Sequence, residues 1–123
     1  MAITHTTAVR NSIADLVVDA IDAGPAAGTL EMQTSGDVEV ATLTFSDPAF
    51  GAAAGGTATA SPITSDTNAT GGTVAKFRIF DSVATEVLTG NVQVSGGDIN
   101  LSSLVVGATD TVSMSSLTYT APA

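Results

Sequence analysis

Hydrophobic positions along the chain fall into two regimes with different periods. Between about residues 8 and 22, Val9, Ile13, Leu16, Val17, Ala20 and Ile21 recur at steps of three and four, the spacing of one face of an α-helix. Thr6 or Thr7 supplies a capping hydroxyl ahead of it. Gly24 followed by Pro25 stops it, glycine by permitting a left-handed terminus and proline by refusing to continue. Arg10, Asn11, Asp15, Asp19 and Asp22 occupy the other positions and are expected to face away from the stripe. Three aspartates toward the C-terminal end oppose the helix dipole, so this helix needs packing to hold it.

From residue 29 the period falls to two. "TLEMQ" alternates Leu30 and Met32 with Glu31 and Gln33, and "VEVATLTFSDP" sets Ala41, Leu43 and Phe45 against Thr42 and Thr44 until Pro48 ends the run. "TATASPI", "TVAKFRIFDS", "NVQVS", "DINL" and "DTVSMSSLTYTAP" predict further strands, divided by stretches rich in Gly, Asp, Asn and Ser. In the last of these Val112 and Met114 have one parity and Leu117 and Tyr119 the other, which predicts a bulge at Ser115 and Ser116.

One helix followed by seven or eight short strands predicts a single mainly β domain over residues 1–123. Its expected form is a two-layer antiparallel, jelly-roll-like sandwich over about 29–121, with the N-terminal amphipathic helix covering an end or an open face. The low-complexity stretch "AFGAAAGGTATAS" has little side chain to bury. It is expected to be a mobile loop, or an arm that orders on a partner, with Phe50 as its one large apolar group.

Composition narrows the function. Twelve acidic and three basic residues give a net charge of −9, which would repel a nucleic-acid backbone or an anionic membrane. No segment approaches the roughly 18 apolar residues of a membrane helix, and the N-terminus has neither the basic start nor the unbroken apolar run of a signal peptide. Synthesis in a cytoplasm is therefore expected. Only 12% of residues are charged while 44% are apolar, a balance suited to a subunit whose faces are covered by neighbours. Without cysteine there are no disulfides or thiolate metal sites.

Candidate chemistry is sparse. The sole histidine, His5, precedes the helix, away from any obvious nucleophile. Asp66 with Asn68 and Asp98 with Asn100 place oxygen ligands two apart, as a calcium loop would, but Asp and Asn beside glycine more commonly build turns. No cofactor motif is present and no enzymatic activity is expected. A sugar-binding module would need exposed aromatics, and the chain has no Trp, one Tyr and four Phe.

The positive charge is concentrated in "TVAKFRIFDS", which holds Lys76 and Arg78. Alternation places Ala75, Phe77 and Ile79 on one face and Val74, Lys76, Arg78 and Phe80 on the other. Two roles follow. The cations could guard an edge or solvent-facing strand and neutralise Asp47, Asp66 or Asp81. Alternatively Val74, Lys76, Arg78 and Phe80, with Phe50, could form a contact strip for a partner.

The ordered series "AVRNSIADLVVDAIDAG", "VATLTFSDPAFGAA", "ITSDTNATGGTVAKFRIFDS" and "VSMSSLTYTAP" resembles a family of small structural proteins of tailed bacteriophages, over nearly the whole chain. It departs from that family's pattern after "FDS", where "VATEVL" replaces an Asp-Gly turn. The resemblance implies a capsid cement or decoration protein on the exterior of the virion. It also implies a homo-oligomer, dimer or trimer, that binds the major capsid protein and uses no cofactor. A tail or neck component, or a soluble β-sandwich binding module, is the alternative.

Overall fold

The computed structural model describes residues 3–122. It is mainly β with one N-terminal helix. The helix α1 spans Thr7–Asp19 and tightens into a 3-10 turn over Ala20–Asp22. Thr6 caps it, its Oγ1 accepting from the Val9 N–H at 3.3 Å.

Nine strands follow among the described residues: β1 (Thr29–Gln33), β2 (Glu39–Thr44), β3 (Thr57–Thr59), β4 (Gly72–Thr73), β5 (Lys76–Phe80), β6 (Glu86–Gln93), β7 (Ile99–Asn100), β8 (Val105–Val106) and β9 (Thr118–Thr120). Five of them form one curled sheet in the order β2-β1-β5-β6-β7. Its pairings are antiparallel except β6 with β7, which is parallel. The other strands form two short two-stranded ladders, β3-β9 and β4-β8, with isolated bridges such as Asp66 with Val112. Short ladders joined by irregular chain thus stand where the sequence pattern predicts a full second sheet.

Alternation sets the core as expected for the first strands. Leu30, Met32, Ala41, Leu43, Phe77 and Ile79 point inward, and all are buried. Phe45 continues the inward row beyond β2 and packs its ring 5.9 Å from that of Phe50. Bulges where β1 meets β2 and where β5 meets β6 break the register once in each pair. Chain and sheet approach closely at Gly28, where a Cβ would stand 2.5 Å from the Phe80 carbonyl oxygen and 2.5 Å from Ile21 Cγ2. Ile21 is buried under this crossing.

The last predicted strand is not continuous. Val112 forms an isolated bridge with Asp66, residues 113–117 are irregular, and only Thr118–Thr120 pair with β3. The change of parity at Ser115 and Ser116 thus marks a break between two separate pairings, not a bulge within one. Where "VATEVL" replaces the usual turn, Asp81 closes the β5-β6 hairpin. Its Oδ1 accepts from the N–H groups of Val83 and Thr85 at 3.0 and 2.9 Å, and Ala84 takes a φ of 65°.

The helix differs most from expectation. Its buried residues are Ala14, Val18 and Ile21, a stripe rotated by about 100°, roughly one residue's turn, from the predicted one. Leu16 is 74% exposed and Val9 45% exposed. The reason is polar. Asn11 Oδ1 accepts from the Gly56 N–H at 2.7 Å, Asp15 Oδ1 from Ala53 at 2.8 Å and Asp22 Oδ1 from Ala49 at 3.0 Å. Arg10 donates to the carbonyl oxygens of Ala121 and Pro122, both at 3.2 Å. The side expected to face water binds the glycine-rich loop and the last strand instead, so "AFGAAAGGTATAS" is fixed against the helix rather than left as a mobile arm.

Candidate interaction surface

The outward face of the large sheet is built in rows. Cross-strand register aligns Glu39, Gln33, Lys76 and Asn91 in one row, and Thr42, Glu31, Arg78 and Thr89 in the next. β5 is the middle strand of the sheet, so Lys76 and Arg78 do not guard an edge.

Nor do they neutralise Asp47, Asp66 or Asp81. Lys76 pairs with Asp37, at the tip of the β1-β2 hairpin. Arg78 reaches the same carboxylate at 3.6 Å and, through Nε, Glu86 on β6 at 3.1 Å. Asp37 sits in the left-handed region with φ 68°, inside a turn closed by the Thr34 N–H donating to the Val38 carbonyl at 2.9 Å. That backbone conformation swings its carboxylate from the hairpin tip over to β5. The adjacent Gln33 is 3% exposed; its Nε2 donates to Glu31, while its Oε1 has no partner among the described residues.

The five candidate contact residues separate. Val74 lies just before β5, outside the alternation, and is 1% exposed. Phe50 is also a core residue. Val74 thus presents no surface to a partner, and Phe50 is buried in the core with only its edge reaching the cleft described below. Lys76, Arg78 and Phe80 are half-buried on the outer face, with the two cations engaged internally. The contact strip is thereby reduced to Phe80 and the edges of two ion-paired side chains.

The calcium-like spacings are also occupied by the fold. Asp66 accepts from the N–H groups of Thr42 and Asn68, both at 2.9 Å. Asp98 accepts from Asn91, and Asn100 from Gly97. Among the described residues no group of three or more His, Cys, Asp or Glu side chains gathers to hold a metal. Burial raises the Asp22 carboxyl above the ordinary range, and Asp47 and Asp19 add to the rise against the Ala49 N–H that lowers it. This carboxylate serves the helix-to-loop contact and lies outside the cleft described next. No helix among the described residues is long and apolar enough to cross a membrane.

Two surfaces stand out, one on the predicted helix stripe and one missed in the sequence. One is the helix strip of exposed Val9 and Leu16, with the partly buried Ile13 between them. The other is a cleft of about 350 Å³ between β6 and β9, floored by Val18, Ile21, Phe50, Phe77 and Ile79 and walled by Leu88, Leu117 and Tyr119. Periodicity signals the helix strip, but only the helix's rotation leaves it bare. The cleft has no sequence signal, because it depends on which strand edges remain unpaired.

No family model matches the chain, and neither a curated protein nor a solved structure matches it.

Proposed function

We propose that the protein is a non-enzymatic structural subunit whose bare apolar surface is covered by neighbours in an assembly. The observation that carries this reading is the helix strip, with Leu16 74% and Val9 45% exposed beside each other one helical face apart from the core. Large aliphatic side chains grouped on a rigid element mark contact sites more often than scattered ones do. The short Ser and Thr side chains of the surrounding surface lose little rotamer entropy when covered.

The motif resemblance supports a specific setting: a capsid cement or decoration protein on the exterior of a tailed-phage virion, binding the major capsid protein as a homo-oligomer. In that setting the jelly-roll-like sandwich expected from the strand pattern would be completed by contacts between subunits, since only short ladders accompany the five-stranded sheet within one chain. A charge of −9 favours docking on basic loops of a shell. Copy number tests this reading. A cement subunit copurifies with intact virions at a level comparable to the major capsid protein. A few copies per virion would assign it to the tail or neck, and absence from virions would reject both.

The cleft between β6 and β9 favours a second reading, a soluble β-rich binding module. That reading requires a stable monomer on size exclusion and saturable retention of a small ligand or glycan.

A further inference from the structure

The outer side of α1 has the pattern of a helix that packs on its own copy. Val9, Ser12, Ile13 and Leu16 stand at i, i+3, i+4 and i+7, the four corners of a hole that receives a side chain from a facing helix. Together with Ala8 they line a shallow depression on the surface. Ser12 can be covered without stranding a polar group, because its Oγ already donates to the Ala8 carbonyl oxygen at 3.2 Å. The charged residues between Thr6 and Asp19 are Arg10 and Asp15, and both are engaged on the other side of the helix. Arg10 donates to the Ala121 and Pro122 carbonyl oxygens, and Asp15 accepts from the Ala53 N–H. Two copies of a chain of charge −9 can therefore meet on this face without setting like charges against each other.

We propose that this face packs antiparallel on the same face of a second copy, about a two-fold axis beside Ser12. The pairing rests on the assembly reading above and gives its helix strip a partner. Size complementarity selects the register. With the axis at Ser12, the small Ser12 of each copy enters the hole of the other, and Leu16, 74% exposed, lies over the Ala8 of the other copy. A parallel pair would set Leu16 against Leu16 and Ala8 against Ala8, crowding one end and leaving a gap at the other. Charge selects the same arrangement. The first turn of α1 holds no acidic residue, and its last turn holds the exposed Asp19 and no basic residue, so neither end of the helix dipole is offset within the helix. Antiparallel pairing sets each Asp19 over the start of the facing helix, where negative charge is favourable, and symmetry makes that contact twice. This reciprocal match singles out a second copy, since one face supplies both the acidic end and the end that accepts it. At 13 residues the helix is about 20 Å long, and two such helices cover less than the roughly 800 Å² per partner of a standard interface. The pair is accordingly weak alone and forms at high concentration or where an assembly holds the copies close.

The chain has no cysteine, so single introduced thiols report the pairing. Full-length Ser12→Cys protein is expected to form disulfide dimers under mild oxidation about tenfold faster than Ala8→Cys or Leu16→Cys protein. The two-fold brings the Ser12 Cα atoms together and holds Ala8, or Leu16, roughly 12 Å along the axis from its own copy, beyond disulfide range. Mixing Ala8→Cys with Leu16→Cys protein should restore fast cross-linking. Asp19→Lys suits the dipole of its own helix yet sets a cation against the start of the facing one, so it should weaken self-association of the cysteine-free protein about tenfold in sedimentation. Equal rates for the three single thiols overturn the proposal, as does association that Asp19→Lys leaves unmoved or a parent that stays monomeric at millimolar concentration. Virion incorporation lost with Leu16→Lys while no thiol pair cross-links assigns the strip to another protein, which rejects the second copy and keeps the assembly reading. Selective Ser12→Cys dimers from a protein absent from virions uphold the pair and reject that reading alone.

Discussion

Asp37 and Lys76 are joined across two strands of the large sheet: the carboxylate of a residue held at φ 68° in the β1-β2 turn pairs with the ammonium that begins β5. Arg78 shares the same carboxylate and adds Glu86, so a single left-handed turn residue anchors the positive charge of the sheet. Because Asp37 remains half exposed, the pair works in a screened environment. Asp37→Asn, which tolerates the same backbone region, should therefore cost about 0.5 to 1 kcal/mol in urea unfolding at low salt, and close to nothing at about 1 M salt. A loss that persists undiminished at high salt would show that the turn, not the charge, carries the effect.

Leu16 and Arg78 separate the two surfaces on which a partner could dock. Leu16→Lys changes an exposed position and should leave unfolding within about 0.5 kcal/mol of the parent, while lowering shell or self-association by tenfold or more. Arg78→Ala should do the reverse, lowering stability by about 1 kcal/mol through its lost pairing and leaving association unchanged. Urea unfolding paired with sedimentation reads both quantities. Association lost with Arg78→Ala and kept with Leu16→Lys would return the contact to the outer face of the sheet.

Asp22 gives the chain a pH dependence of defined sign. Its carboxyl is raised in the folded state, so between its unfolded and folded values the folded protein holds the extra proton, and this group's contribution to stability falls as pH rises through that window. Asp22→Asn keeps an oxygen for the Ala49 N–H and removes repulsion from Asp47 and Asp19. The variant should be more stable than the parent at neutral pH, on the order of 0.5 kcal/mol. The advantage should vanish when Asp22 is protonated in acid. Thermal unfolding at both pH values decides it, and a constant difference would assign the effect to packing.

The glycine-rich loop owes its order to the helix. Removing two acceptors with Asn11→Ala and Asp15→Ala strands the N–H groups of Gly56 and Ala53, at about 1 to 3 kcal/mol each if they remain buried. The loop should instead open to water. Amide exchange at residues 51–56 is expected to accelerate strongly while that of β1 and β5 stays near the parent's. Uniform acceleration across the whole domain would mean that the loop and the sheet unfold as one unit.

The strand pattern was legible because it rests on a local rule. Successive side chains on a strand point to opposite sides, so Leu30 and Met32, Leu43 and Phe45, and Phe77 and Ile79 announce their inward face without a partner in view. The capped helix start was accessible for the same reason, since Thr6 bonds to backbone three residues on; the hairpin beyond Phe80 was not, because its sequence lacks the Asp-Gly turn and Asp81 closes it instead. Long-range matters escaped. Val74 keeps the parity of Lys76, yet it stands before β5 and is buried under the chain that crosses it, its N–H donating to the Leu104 carbonyl at 2.8 Å.

The sequence by itself determined that this is a mainly β chain led by one helix, which side of its first strands faces inward, and that its net charge is −9. Tertiary structure alone decided that β5 is central, that Asn11 and Asp15 turn the helix onto a loop some 40 residues away, and that two strand edges are left open around an apolar cleft. The division has one physical cause. Periodicity encodes which side of an element avoids water, whereas strand order, helix rotation and open edges depend on competition among distant backbone groups for the same partners.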